Sequence, residues 1–204
     1  MTTKQLDDGY EIRFDTNDSV ETSRMIAEQE SDKNWQNYSK GNRRDVNDLK
    51  YHIRIGKFGE CEFGRLLASD KTDSIITGIT YLKTNSDHGD CELATLGKIQ
   101  IKTKISDRFN SISLSELNLE NWPNNDKTLL VIMLVDKYLT RSKAFYMMPS
   151  EISVFKRNSK CRDDYYISVS DIHEWTTAND AFIKYGSRRF DESRLHPDDD
   201  LPRE

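Results

Sequence analysis

Asp90, Gln100 and Lys102 are the residues whose types and spacing could do chemistry. They lie in DHGDCELATLGKIQIKTK, residues 87–104. Successive side chains of a strand point to opposite faces. In the first run Cys91 and Leu93 therefore share one face, and Asp90, Glu92 and Ala94 the other. In the second run Ile99 and Ile101 turn to a core, while Gln100, Lys102 and Lys104 turn away. Pairing of the two runs as a hairpin would gather Asp90, Glu92, Gln100 and Lys102 on one side of a sheet. A carboxylate and an amide oxygen are hard donors suited to Mg²⁺, which keeps most of its waters. An ammonium beside them supplies a positive charge for a phosphate, or a proton shuttle for a metal-bound water.

Each piece also has a plainer reading. A Gln-x-Lys on a strand is a short and common pattern. Asp87 and Asp90 flank His88-Gly89, a composition that suits a turn; Asp87, earlier in that turn, is the rival for the metal position. Glu60 and Glu62 in GECEFG suit a helix start, where acids complement the dipole. The loop FKRNSKCR carries Lys156, Arg157, Lys160 and Arg162, either as a solvated loop or as phosphate contacts. The run Ser187-Arg188-Arg189 reads in the same two ways. His52, His88, His173 and His196 are scattered, with no metal-ligand spacing. GKFGECEFG lacks the Lys-Ser/Thr ending of a phosphate loop, and a Ser-centred elbow is missing from the sequence.

The elements that must position these groups follow from periodicity. Residues 1–18 read as a polar arm with a short strand at YEIRF. A helix starts after Asn17-Asp18-Ser19, and SDKNWQNYSKGN reads as a loop or a broken helix. RDVNDLKYHI predicts a further helix, with Val46, Leu49 and Ile53 at helical spacing. In GKFGECEFGRLLAS, Phe58, Cys61, Phe63, Leu66 and Leu67 form an apolar stripe, with Glu60 and Glu62 off it. SIITGITYL, DCELA and KIQIKTK predict three strands, antiparallel because their links are short. SLSELNLENWPNND reads as a short helix and a turn. TLLVIMLVD is apolar on both faces, the mark of a central strand, and KAFYMMP is its neighbour. A helix begins at Ser150, YYISVS is a strand, and Asp171 caps a last helix through IHEWTTANDAFIKY. From Gly186 the chain reads as a loosely held tail.

Composition narrows the class. The chain has 204 residues, enough for a sizeable core in one compact domain. Segment boundaries are placed at 1–44 for an arm and helix, 45–155 for a core, and 156–204 for a strand, a helix and an acidic tail. No apolar run approaches the roughly 20 residues that a membrane span needs, and the N-terminus lacks the layout of a signal peptide. Cys61, Cys91 and Cys161 are odd in number and far apart, so reduced thiols and a cytoplasmic location are expected. The net charge of −5 is uneven. Residues 41–108 hold 12 basic and 10 acidic side chains, whereas 1–40 hold 5 and 9, and 151–204 hold 9 and 12. The basic part is the part with the Gln-x-Lys pattern, which permits a phosphate-facing surface there.

The order helix Glu, strand, Asp90, then Gln100-Ile101-Lys102 after about ten residues, then an apolar central strand, resembles the PD-(D/E)XK nuclease superfamily. GECEFGRLL and TLLVIMLVDKYLTRSKAFYMMPSEI add to the likeness, which covers roughly residues 45–155. The chain departs from the pattern twice: Gln100 stands where an acid is usual, and the Pro before the first Asp is missing. The resemblance implies a restriction-endonuclease-like α/β fold, a mixed central sheet flanked by helices with an αβββαβ core. It implies Asp90 as principal metal ligand, with oxygens from Gln100 and the backbone carbonyl of Ile101. Lys102 would orient or deprotonate the attacking water, Glu60 would hold a metal-bound water, and Glu92 would be a second-shell or second-metal acid.

The implied activity is a Mg²⁺-dependent DNA endonuclease of restriction type, with Mn²⁺ able to substitute, acting as a homodimer on duplex DNA. Lys104, Lys156, Arg157 and Lys160 would contact phosphates, with affinity falling as salt rises. Two other classes stay open: the same fold as a non-catalytic DNA-binding or protein-interaction module, and an inhibitor or DNA mimic built on the acidic ends.

Overall fold

A computed structural model describes residues 1–6, 9–39, 45–70, 75–76, 90–93, 96–106, 111–115, 128–148, 151, 156–157 and 164–189. The fold is mixed α/β. Its larger sheet has eight strands: β1 (Thr2–Leu6), β2 (Gly9–Arg13), β3 (Ile75–Ile76), β4 (Cys91–Leu93), β5 (Gly97–Ile105), β7 (Thr128–Val135), β8 (Ser142–Met147) and β11 (His173–Glu174). They lie in the order β1-β2-β3-β4-β5-β7-β8-β11. A smaller sheet has the order β6-β10-β9, from β6 (Ser111–Ser115), β9 (Lys156–Arg157) and β10 (Asp164–Ser168). Among the described residues the α-helices are α1 (Val20–Ser39), α2 (Val46–Ser69) and α3 (Ala178–Arg189).

In the larger sheet β5 and β7 run parallel, and every other neighbouring pair is antiparallel. The expected antiparallel set of three is thus β3, β4 and β5. Parallel neighbours need a crossover of a dozen or more residues, and the chain spends residues 106–127 on it. The helix expected there meets a difference: Ser113-Leu114-Ser115 belongs to β6, and 116–127 lie outside the described residues.

The unalternating TLLVIMLV is explained by two buried faces. Leu129, Val131 and Met133 join a core with Cys61, Phe63 and Leu67 of α2, and with Ala181 and Tyr185 of α3. Leu130, Ile132 and Leu134 join Phe145, Ile167 and Ile172 on the other side. All of residues 129–135 are at most 1% exposed. A third cluster, with Ala27 of α1 and Ile55 and Phe58 of α2, ties the two long helices together.

Helix α2 joins what the sequence divides. RDVNDLKYHI and GKFGECEFGRLLAS form one helix of 24 residues, capped where the Asp45 side chain accepts from the Asn47 N–H at 2.8 Å. It passes through Gly56 and Gly59 unbroken. A Cβ at position 59 would stand 2.0 Å from the Thr103 Oγ1 on β5, so the glycine is there for close helix–sheet approach. With α1 on one side and the sheet on the other, residues 57–64 are all buried. Glu60 and Glu62 are therefore mid-helix and buried, which rules out the reading in which they complement a helix start.

Four further differences have local causes. SDKNWQNYS is not a loop; α1 runs through it to Ser39, after Ser19 Oγ accepts from the Thr22 N–H at 3.3 Å. The arm at residues 1–13 is a hairpin, and β2 joins the sheet through Ile12 opposite Ile76. Ile172 to Thr177 is not helical. β11 extends the sheet beside β8, and the helix waits for Thr177, whose Oγ1 accepts from the Asp180 N–H at 3.1 Å and donates to its Oδ2 at 2.8 Å. Thr177 thus caps the helix, with its hydroxyl held in place by Asp180, and α3 then carries Gly186–Arg189, which the sequence assigns to a tail. The Ser150 helix start, most of SIITGITYL and residues 190–204 lie outside the described residues. No helix among the described residues is long and apolar enough to cross a membrane.

Candidate functional site

Register brings the acid and the amide together. Cys91 pairs with Ile99 and Glu92 with Lys98, and the Asp90 N–H donates to the Ile99 carbonyl at 2.9 Å. Asp90 thus sits at the mouth of the β4–β5 hairpin, where β4 has ended and β5 continues. There its carboxylate replaces a strand partner: Asp90 Oδ2 accepts the backbone N–H of Ile101 at 2.7 Å and a short hydrogen bond from the Gln100 amide. The carbonyl of Ile101 leaves β5 on the same edge as its N–H, because both groups of a strand residue point the same way.

The other face of β5 sets the helix. Ile99 and Ile101 are buried in the core with α2, and Thr103 donates to the Gly56 carbonyl at 3.3 Å. Gly59 lets α2 close onto Thr103, and the residues flanking that contact are Lys57 and Glu60. Both are buried, at 6% and 8% exposure, and Lys57 Nζ donates to Glu60 Oε2 at 2.8 Å.

Electrostatics connect helix and strand. Burial pushes the Glu60 carboxyl up to about 7; Lys57 opposes this, Asp90 adds to it, and Lys102 opposes it more weakly. Burial likewise pushes Asp90 above its ordinary value, against Lys102, Lys57 and the hydrogen bonds from Ile101 and Gln100. Each carboxyl therefore feels both ammonium groups, and Glu60 also feels Asp90. Glu60, Asp90, Gln100 and Lys102, singled out in the sequence, form one cluster.

The remaining candidates fall elsewhere or outside view. Glu92 is on β4 opposite Lys98. Lys104 is half-buried on β5, opposite Leu134. Lys156 and Arg157 are not loop residues; they form β9 in the smaller sheet, opposite Tyr166 and Tyr165. Asp87 and Lys160 lie outside the described residues.

No protein-family model matches the chain, and no curated protein matches it.

One member of the cluster was not singled out beforehand. Lys57 reads as an ordinary solvated residue, since lysine is rarely buried unless paired. The sequence holds a signal for it: Lys57 stands three residues before Glu60, on one helix face, and two residues before Gly59, which allows close packing. Glu62 differs from Glu60. It is fully buried, held by Nε and Nη2 of Arg65 at 3.0 and 2.9 Å and by Ser142 Oγ at 2.9 Å, and so acts as a brace between α2 and β8.

Among the described residues there is no group of three or more His, Cys, Asp or Glu suited to a metal. The cluster has two such acids, Asp90 and Glu60, and its third oxygen donor is the amide of Gln100. This donor set still fits a hard cation. Both acids bind protons more tightly than usual, because burial outweighs the two ammonium groups beside them. Gln100 would have to present Oε1 rather than the Nε2 it now turns to Asp90, which a half-turn of its amide achieves.

Proposed function

We propose that the chain is a metal-dependent DNA endonuclease of the PD-(D/E)XK type, in its Gln variant. The observation that carries this reading is the convergence of Asp90, Gln100, Lys102 and Glu60 from β4's mouth, β5 and α2. The strand order β3-β4-β5-β7, with β5 and β7 parallel and α2 preceding β3, supports the finer fold assignment, a restriction-endonuclease-like αβββαβ core.

In this reading Asp90, the Gln100 amide oxygen and the Ile101 carbonyl would hold Mg²⁺ or Mn²⁺, and Glu60 would hold one of its waters. The ion, when bound, supplies a water of lowered pKa and a positive charge for the phosphate. Lys102 orients that water or takes its proton, and its charge offsets the negative charge that grows on the phosphate oxygens. Burial of the cluster strengthens each of these interactions. Duplex DNA is the proposed substrate, with phosphate contacts from Lys104, Lys156, Arg157 and Lys160, and a homodimer is the proposed working form.

The test uses supercoiled plasmid with Mg²⁺, with and without chelator. Lys102→Ala and Asp90→Ala are each expected to lower cleavage at least about a hundredfold, the scale of losing one charge-stabilising group, with circular dichroism unchanged. Wild-type-like cutting by both variants would overturn the assignment. One observation favours a second reading, a non-catalytic nuclease-fold module: the Gln100–Asp90 and Lys57–Glu60 contacts already satisfy polar groups of the cluster. Such a module would bind DNA or protein yet show no Asp90-dependent uptake of Mn²⁺.

A further inference from the structure

Resting on the nuclease reading, we infer that Lys57 is a built-in cation that restricts this site to a single divalent metal ion. Two-metal phosphodiester sites hold their ions about 3.5–4 Å apart, and anionic oxygens must offset that concentration of charge. This cluster has two carboxylates, Glu60 and Asp90, a neutral amide at Gln100, and two ammonium groups, Lys57 and Lys102. With all four ionisable groups charged, the protein contributes no net charge. One divalent ion then leaves a surplus of two positive charges, well matched to a phosphodiester and its incoming hydroxide. A second ion would raise the surplus to four.

Position supports the same conclusion. Lys57 is not a surface lysine that drifts near the site. It is 6% exposed, fixed at 2.8 Å from Glu60 Oε2, and carried by the helix segment that Gly59 seats against Thr103. Its charge reaches Asp90 as well as Glu60. The ammonium thus occupies the flank on which Glu60 would otherwise receive a second ion, and it works on the ligands rather than on the substrate. Lys57 is a positioning residue.

The experiment is Mn²⁺ binding without DNA, followed by electron paramagnetic resonance and calorimetry, on wild type, Asp90→Asn, Lys57→Met and Lys57→Arg. Surface sites are subtracted by counting only the ions lost in Asp90→Asn. Asp90→Asn is expected to bind one ion per chain fewer than wild type. Lys57→Met is expected to bind Mn²⁺ about tenfold tighter or more, or to gain a second ion, since a unit charge near a divalent ion is worth that much even under strong screening. Lys57→Arg, which keeps the charge, is expected to stay near wild type.

Two Asp90-dependent ions in wild type, or unchanged affinity and count in a folded Lys57→Met, would overturn the role of Lys57 and leave the nuclease reading standing. No Asp90-dependent ion in wild type would overturn both. Should Lys57→Met fail to fold, the wild-type count alone decides, one ion supporting the inference and two removing it.

Discussion

Two carboxylate sites in this chain respond to burial in opposite ways. Asp136 closes the turn between β7 and β8 and is 3% exposed. Burial works against its charge, but the Arg141 N–H at 3.0 Å and the Thr140 hydroxyl and N–H, both at 2.7 Å, outweigh it and hold the carboxyl below its ordinary value. Asp90 and Glu60 are pushed the other way, because their donors and cations do not make up for burial, to which Asp90 adds repulsion at Glu60. The first arrangement is finished within the fold: its charge is matched by neighbours one turn away. In the second, burial outweighs the neighbouring donors and ammonium groups. A carboxylate that folding satisfies holds a turn together, and one that folding leaves unsatisfied is available to something that arrives later.

The comparison breaks most directly by neutralising one acid in each region. Asp136→Ala strands two backbone N–H groups and a hydroxyl, and is expected to cost about 3 kcal/mol, given about 1–3 kcal/mol for an unsatisfied buried donor. Asp90→Asn keeps an oxygen for the Ile101 N–H and removes a charge that burial opposes. At pH 8 it is expected to leave stability unchanged or raised, while abolishing Mg²⁺-dependent cleavage. Urea unfolding of both variants checks this. Equal losses at the two positions would mean that Asp90 is as structural as Asp136.

The pH dependence of stability sharpens the same contrast. Glu60 binds its proton more tightly folded than unfolded, so between about 4.5 and about 7 the native state holds more protons than the unfolded state. Stability therefore falls as pH rises through that window. For Asp136 the sign reverses: its contribution is present above the unfolded value and is lost as pH falls through the folded one. Glu60→Gln removes the first effect, so the variant is expected to match wild type near pH 4 and exceed it at pH 8. The gain is about 3 kcal/mol, the full shift at about 1.4 kcal/mol per pKa unit, because that shift already contains the opposing Lys57 pair. Denaturant titrations at the two pH values measure it. A Glu60→Gln variant that is less stable at pH 8 would show that the Lys57 pair outweighs the burial of the charge.

The site was more legible than the frame around it. Period-two alternation in KIQIKTK and a turn within reach of Asp90 were enough to place Gln100, Lys102 and Asp90 at one hairpin mouth, because strand register leaves little freedom over ten residues. TLLVIMLV announced the central strand by lacking any polar face. Lys57 escaped because a helix enclosed on two sides buries residues off its apolar stripe, and the sequence does not say that α1 covers that side. IHEWTTAND read as helix by periodicity, yet β8 offered His173 and Glu174 an edge to pair with, and tertiary pairing prevailed over local pattern. The strand at YEIRF is expected from the sequence and found as β2, whereas β1 is hidden for a related reason. TTKQL has Leu6 as its one apolar residue, and its pairing with β2 depends on an edge supplied by residues more than sixty positions away.

The smallest expected effects come from two glycines, and they test whether close packing is what keeps the site unsatisfied. A Cβ at Gly59 would meet the Thr103 side chain at 2.0, 2.7 and 2.8 Å, too close for a rotation of Thr103 to relieve, so α2 must move off β5. Gly59→Ala is expected to cost about 1–2 kcal/mol, within the range for overpacking. Water then enters beside Glu60, and the fall in stability between pH 4.5 and 7 becomes shallower. Gly56 is one turn earlier on the same helix and has nothing within 4 Å of the position its Cβ would take. Gly56→Ala is expected to stabilise by about 0.5–1 kcal/mol, the usual gain of alanine over glycine inside a helix, with the pH dependence unchanged. Thermal melts of both variants across this pH range separate the two contributions. If Gly59→Ala keeps the wild-type pH slope, the seating of α2 on Thr103 does not set the proton affinity of Glu60, and the anionic pair itself must account for it.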